Sequence, residues 1–299
     1  MISTQARCSM LVLSAAIVLV AAPTAQGDNR RGLIAYTQET NQCDIVGCES
    51  FVWTVRPDGR GRKKLPCATA VRFGCVDVHP TFSPDGRRLA TATNGVFEET
   101  RDERSKEVLA VREPTGRILR RIPIFARPVT GLAFAPGGQR LAYNNFGPVY
   151  FVRTDGTDDE LFRRTSADDI AWSRTGRLAW TGRNSRGLFV TDRTHTRIRR
   201  LPTRATRVKW SPDGWRLAYK AGPDERVEVI GADGRGRRVV TRRCNDIDSG
   251  VAWAPDGTRL LCTNFPSGNL LVVNVKTRRT RILLRGVEAK QFDWQRAPR

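Results

Sequence analysis

Few residues of this chain can do chemistry. Two histidines, His79 and His195, are its whole imidazole complement in 299 residues, which leaves little for a histidine-based metal centre. His79 precedes Pro80 at the start of an apolar strand and His195 falls in an outer turn, so both read as structural or solvated. There is no Gly-x-Ser-x-Gly elbow, because Gly182-Arg183-Asn184-Ser185-Arg186-Gly187 has one residue too many. Asp155-Gly156-Thr157-Asp158-Asp159-Glu160 is acidic but lacks the alternating ligands of a calcium loop, and reads as an exposed turn. What remains is a set of charges just ahead of recurring aromatic strands. Asp77, Asp168, Asp169, Asp246 and Asp248 come from alternate copies, and Arg127 and Arg204 from the copies between. Such a ring of mixed charge could bind a small polar ligand, a cation or a peptide end. The competing reading is that these are loop residues bonding backbone amides.

The elements that position them form a repeat. Thr81-Phe82-Ser83-Pro84-Asp85-Gly86-Arg87-Arg88-Leu89-Ala90 returns at Lys209 to Ala218 and at Ala252 to Leu261, with degraded copies at Ala133 to Ala142 and Ala171 to Ala179. In each copy an apolar strand ends on an aromatic, Ser-Pro-Asp-Gly turns the chain, and Arg-Leu-Ala starts a return strand. Proline presets φ, aspartate bonds the backbone ahead, and glycine takes the left-handed conformation. A third, apolar strand follows in six places: 51–55, 108–111, 149–152, 188–191, 227–230 and 270–275. After it come a second turn and a basic outer strand. Units of forty-odd residues with four strands are propeller blades.

The aromatics fall at 82, 134, 172, 210 and 253, giving five inner strands for six third strands. The sixth inner strand is Gln291-Phe292-Asp293-Trp294-Gln295 at the far end of the chain. Its return strand is Leu33-Ile34-Ala35-Tyr36 at the near end, which removes open sheet edges and ties the termini together. The expectation is an all-β, six-bladed β-propeller of four-stranded antiparallel blades over residues 28–299, with one blade built from both ends.

Residues 1–27 read as a secretory signal: Arg7, an apolar run from Met10 to Ala22, and small residues at Ala25 and Gly27. Thirteen residues rise only about 20 Å against a hydrocarbon core of roughly 30 Å, so a membrane anchor is the weaker reading. No later stretch is long and apolar enough to span a bilayer. Without Cys8, six cysteines remain, an even number that favours disulfides in an oxidising compartment. Of fifteen pairings, proximity favours Cys43–Cys48, Cys67–Cys75 and Cys244–Cys262. The propeller topology puts all three on one face. The formal charge of +21 comes mostly from arginine, with only seven lysines. It reads as a solvated basic surface rather than a nucleic-acid site, with anionic polymers or lipid headgroups as contacts held by charge alone.

The Trp-Ser-Pro-Asp-Gly-x-x-Leu-Ala-Tyr pattern, as at Trp210 to Tyr219, resembles the TolB-type, WD40-like β-propeller repeats over residues 31–295. The resemblance implies the fold and leaves the function open. TolB carries an additional α/β domain, and related propellers precede hydrolase domains; neither is expected here. The function expected is an exported, periplasmic or extracellular scaffold that binds a protein, peptide or glycan without a cofactor. The alternative is a lyase or lactonase with a metal in the channel.

Overall fold

The computed structural model describes residues 32–44, 47–68, 74–93, 106–125, 128–145, 147–183 and 187–296. The apolar leader, Cys8 and Arg127 lie outside them. All the regular elements described are strands, numbered here in chain order. β1 (Ile34–Asp44), β2 (Gly47–Val55) and β3 (Lys63–Lys64) form a sheet completed by the last strand of the chain, β23 (Phe292–Trp294). β4 (Asp77–Phe82), β5 (Leu89–Thr93), β6 (Lys106–Arg112) and β7 (Ile118–Phe125) make the second. β8 (Gly131–Phe134), β9 (Arg140–Asn144), β10 (Gly147–Arg153), β11 (Glu160–Trp172), β12 (Leu178–Gly182), β13 (Leu188–Thr191) and β14 (Ile198–Leu201) share one sheet of seven. Two more sheets of four follow: β15 (Thr206–Trp210), β16 (Arg216–Ala221), β17 (Arg226–Gly231), β18 (Arg238–Thr241), then β19 (Ala252–Trp253), β20 (Arg259–Thr263), β21 (Leu270–Asn274), β22 (Thr280–Leu284).

The sheet of seven is two blades joined by one strand. The first part of β11, from Glu160 to Arg163, pairs with β10, and its last part, from Asp169 to Trp172, pairs with β12. The outer strand of the third blade thus runs into the inner strand of the fourth without a loop. Counted twice, β11 gives six sets of four.

Packing agrees with that count. The buried apolar residues fall into six clusters, each at one junction between consecutive blades. Leu89 with Ala35 joins the second blade to the first, and Leu132 with Leu109 the third to the second. Ile170 with Val149 joins the fourth to the third, and Tyr219 with Leu188 the fifth to the fourth. Trp253 with Val229 joins the sixth to the fifth, and Tyr36 and Phe292 with Val272 join the first to the sixth. Twisted sheets cannot bury both faces alone, so each blade depends on both neighbours.

The closure pairs the expected terminal strands, and their register sets Ile34 opposite Trp294, Ala35 opposite Asp293 and Tyr36 opposite Phe292. Gly32 packs so closely that a Cβ there would lie 2.1 Å from the Gln295 carbonyl oxygen, and its φ of 67° suits glycine alone. The Ser-Pro-Asp-Gly turns behave as their chemistry requires. The Gly86 amide donates to the Ser83 carbonyl (2.8 Å), the Arg88 amide to Ser83 Oγ (2.9 Å) and the Arg87 amide to Asp85 Oδ1 (3.0 Å).

Cys67–Cys75 and Cys244–Cys262 are disulfides, with Cα atoms 5.7 and 5.5 Å apart. Cys48 is also disulfide-bonded, and Cys43 stands opposite it in the β1–β2 register. Among the described residues no helix is long and apolar enough to cross a membrane.

Candidate functional site

Six inner strands around an axis must leave a channel whose lining depends on which side chains turn inward. Here it widens into two cavities. One, of about 130 Å³, opens where the inner strands end in their turns and is lined from all six blades. Each blade contributes its anchoring aromatic: Phe82, Phe134, Trp172, Trp210, Trp253 and Trp294. Thr81, Lys209 and Asp293, one residue before their aromatics, reach this cavity, and Arg174 and Arg296 stand beside it. A guanidinium nitrogen of Arg296, on the closing blade, donates to the Pro212 carbonyl of the fifth (2.8 Å). The other cavity, about 20 Å³, lies further back along the same strands and is also lined from all six. His79, Asp169, Arg207, Gly250 and Gln291, three residues before the aromatics, line it. Lys209 borders both cavities and marks the waist between them.

Two of the carboxylates work as clasps. Asp293 accepts from the Phe82 amide of the next blade (Oδ2, 2.7 Å) and from the Trp294 amide (Oδ1, 2.9 Å). Asp169 does the same one half-turn round the ring, accepting from Val208 (2.8 Å) and Ile170 (2.9 Å). Burial pushes the Asp293 carboxyl up, partly offset by Lys209 nearby. His79 is held neutral: burial, then Arg207 and Lys209, bring its imidazole down to about 3 against its hydrogen bond to Val129. His79 and Arg207 both occupy the left-handed region, with φ of 53° and 45°. Both sit in register breaks of their inner strands, between Val78 and Thr81 and between Thr206 and Val208.

Of the described residues expected at a channel mouth, only Asp169 lines the axial cavities. Asp77 is buried against Arg112 Nη2 (2.7 Å, with 1% and 0% exposure) and accepts from the Ala68 amide (2.9 Å). Burial raises its pKa, and Arg112 opposes that rise. Asp246 is buried and accepts from the Asp248 amide (3.0 Å). Asp248 is exposed and faces Lys290 Nζ (3.4 Å). Asp168 is half-buried. Arg204 lies beside Arg200, Arg226 and Arg237 in an outer groove. The reading as loop residues bonding backbone thus describes Asp77 and Asp246. His79, read as structural or solvated, is hydrogen-bonded to the Val129 backbone and lines the narrow cavity.

Lys209, Arg207, Asp293 and Gln291 were not singled out by sequence. Their signal was the fixed offset from each aromatic, one and three residues back along the inner strand. Among the described residues the one grouping with metal-ligand geometry is Cys67, Cys75 and Asp77, and its two sulfurs are bonded to each other.

No protein-family model matches this sequence, and no curated protein matches it. Solved structures do. TolB from Acinetobacter baumannii aligns with a TM-score of 0.69 at 15% identity, over 89% of this chain and 67% of that one. The fold is that of the TolB propeller. A putative TolB from Agrobacterium tumefaciens aligns at 0.58 with 14% identity, over 87% and 91%. A chain of the nidogen/laminin complex aligns at 0.69 with 12% identity, over 90% of this chain and 100% of that one. The propeller's axial cavities are therefore features of this sequence laid on a shared frame, since identities this low carry the fold and not the lining.

Proposed function

We propose that this propeller is an exported binding protein, and that the wide axial cavity is where it recognises a protein, peptide or glycan ligand. The carrying observation is that all six blades converge on one opening where Arg174, Arg296, Lys209 and Asp293 are backed by aromatic rings. A concave site with an apolar wall and a few placed charges suits ligand binding. The carboxylates beside it accept backbone amides across blade junctions, which suits a fixed frame better than proton transfer. The solved complex of nidogen with laminin gives a precedent for a propeller of this shape in a binding assembly. Three intramolecular pairs of cysteines, two of them bonded as described, and the leader at residues 1–27 support a periplasmic or extracellular setting.

The test is capture from the organism's own envelope fraction. Wild-type protein should retain a defined partner that Arg174→Glu at the mouth loses and Arg238→Gln on the outer strand β18 retains. Substrate turnover by purified protein that disappears in Asp169→Asn would overturn the binding reading in favour of an enzyme.

A further inference from the structure

The channel waist holds two cations that no described residue engages in a hydrogen bond or ion pair. Among the described residues the Lys209 ammonium makes no hydrogen bond or ion pair, and neither does the Arg207 guanidinium, whose Nε is buried and orphaned. Buried polar groups in native proteins are nearly always satisfied, so an orphaned guanidinium facing a cavity calls for a ligand. Asp293 offsets part of the Lys209 charge from nearby, but its two oxygens are turned to the Phe82 and Trp294 amides, and those of Asp169 to Ile170 and Val208, so neither carboxylate forms an ion pair with these cations among the described residues. His79 is neutral and adds no charge of its own. At the wide mouth Arg174 and Arg296 add positive potential along the path of entry.

Backbone geometry shows that Arg207 is held in place rather than left over. A left-handed arginine in an inner strand costs energy, and such outliers persist where the surroundings fix them. The register break between Thr206 and Val208 turns Arg207 towards the axis. The space there, about 20 Å³, admits one water-sized group. A ligand body would have to stay in the 130 Å³ cavity above.

We propose that the waist between Lys209 and Arg207 is an oxyanion site, taking one oxygen of the carboxylate or phosphate group of a ligand that enters from the Arg174–Arg296 mouth and keeps its other atoms in the wider cavity. This rests on the binding reading above and specifies the chemistry of its ligand.

The experiment titrates the full mature chain with inorganic phosphate and, separately, acetate at a constant ionic strength of about 0.15 M, where surface charges more than about 8 Å apart are screened. Binding is read by calorimetry and by the shift in thermal midpoint. Saturable one-site binding is expected for at least one of the two anions. Lys209→Met should weaken it by about tenfold or more, as loss of a partly buried charge does, while Lys209→Arg retains most of it. Arg238→Gln should leave it unchanged. Arg207→Gln replaces Lys209→Met if the latter does not fold. Binding of phosphate alone marks a phosphoryl ligand, and binding of acetate alone a carboxylate. Saturation by neither anion, or equal loss in Arg238→Gln, overturns the site. If wild type captures its partner yet binds neither anion, this inference fails and the binding reading survives.

Discussion

At the residue scale, Lys220 carries a burial cost. It follows Leu-Ala-Tyr in a return strand and is fully buried. Its Nζ donates to the Asp246 carbonyl and to Ser249 Oγ (3.2 Å), tying down the loop that leads into the sixth blade. The equivalent residues Asn144 and Thr263 make the same tie, to the carbonyls of Ala167 (2.9 Å) and Ala289 (2.7 Å). An amide or hydroxyl does this without a charge, whereas Lys220 pays for one: burial brings its ammonium down from 10.5 to about 8. The folded pKa lies below the unfolded one, so between about 8 and 10.5 the unfolded chain keeps a proton that the folded chain has lost. Stability therefore rises with pH across that window, and below about 8 the burial cost is constant and fully present. Lys220→Met should abolish the rise. Ser249 Oγ still donates to the Asp246 carbonyl (3.2 Å), so that acceptor keeps a partner. Urea midpoints at pH 7 and pH 10 should show the variant at least as stable at pH 7. Its advantage should shrink by at most about 1.4 kcal/mol per pH unit above 8. A variant much weaker at pH 7 with an unchanged pH profile would mean that the ammonium is a net stabiliser.

At the element scale, the turns carry the joints between blades. The guanidinium of Arg88 lies over Phe134 of the next blade (5.8 Å to the ring centre) and donates to the Gly138 carbonyl (2.6 Å). Arg216 does the same to Trp253 (5.0 Å) and Gly257 (3.2 Å). The closing blade has no Asp-Gly-Arg turn, because its inner and return strands come from opposite ends of the chain. Gln295 replaces it: Nε2 donates to the Gly86 carbonyl (2.6 Å), and Oε1 accepts from the Leu33 amide (2.6 Å). One side chain thus holds both the closing pair and the joint to the second blade. Gln295→Ala leaves the buried Gly86 carbonyl short of a partner, at about 1–3 kcal/mol, and the half-buried Leu33 amide at about 1 kcal/mol, so a loss of roughly 2–4 kcal/mol is expected in denaturant unfolding. A loss below about 0.5 kcal/mol, the level of an ordinary surface substitution, would show that water takes over both roles.

At the scale of the whole molecule, the ring was legible in the sequence and the lining of its channel was not. The aromatics ending each inner strand recur because every blade junction needs a large apolar filler, so six junctions leave six marks. The pairing of the strand at 291–295 with the strand at 33–36 followed from counting those marks. The channel residues recur in no such way: Lys209 and Asp293 occupy a position that the other blades fill with alanine or threonine, and His79 and Arg207 one that the others fill with Gly131, Asp169, Gly250 and Gln291. Strand alternation could not assign them either. Register breaks before Thr81, Val208 and Asp169 shift the inward face by one residue. The loop acids Asp77 and Asp246 drew attention because they precede the strands, but their place in the ring makes them ties between loops and blades. Closure also sets how the molecule should fail. Without residues 291–299, β1 keeps β2 but loses β23, and the cluster around Tyr36, Val272 and Trp294 opens to water. The first blade then holds the second and the sixth apart instead of joining them, so the damage reaches every junction through its neighbour. The truncated chain should lose the single cooperative transition of the intact ring, with a midpoint lower by tens of degrees or no near-ultraviolet signal at all. A chain that kept its midpoint and lost only a small part of its amplitude would behave as an array with a frayed end, and ring closure would then contribute little to stability.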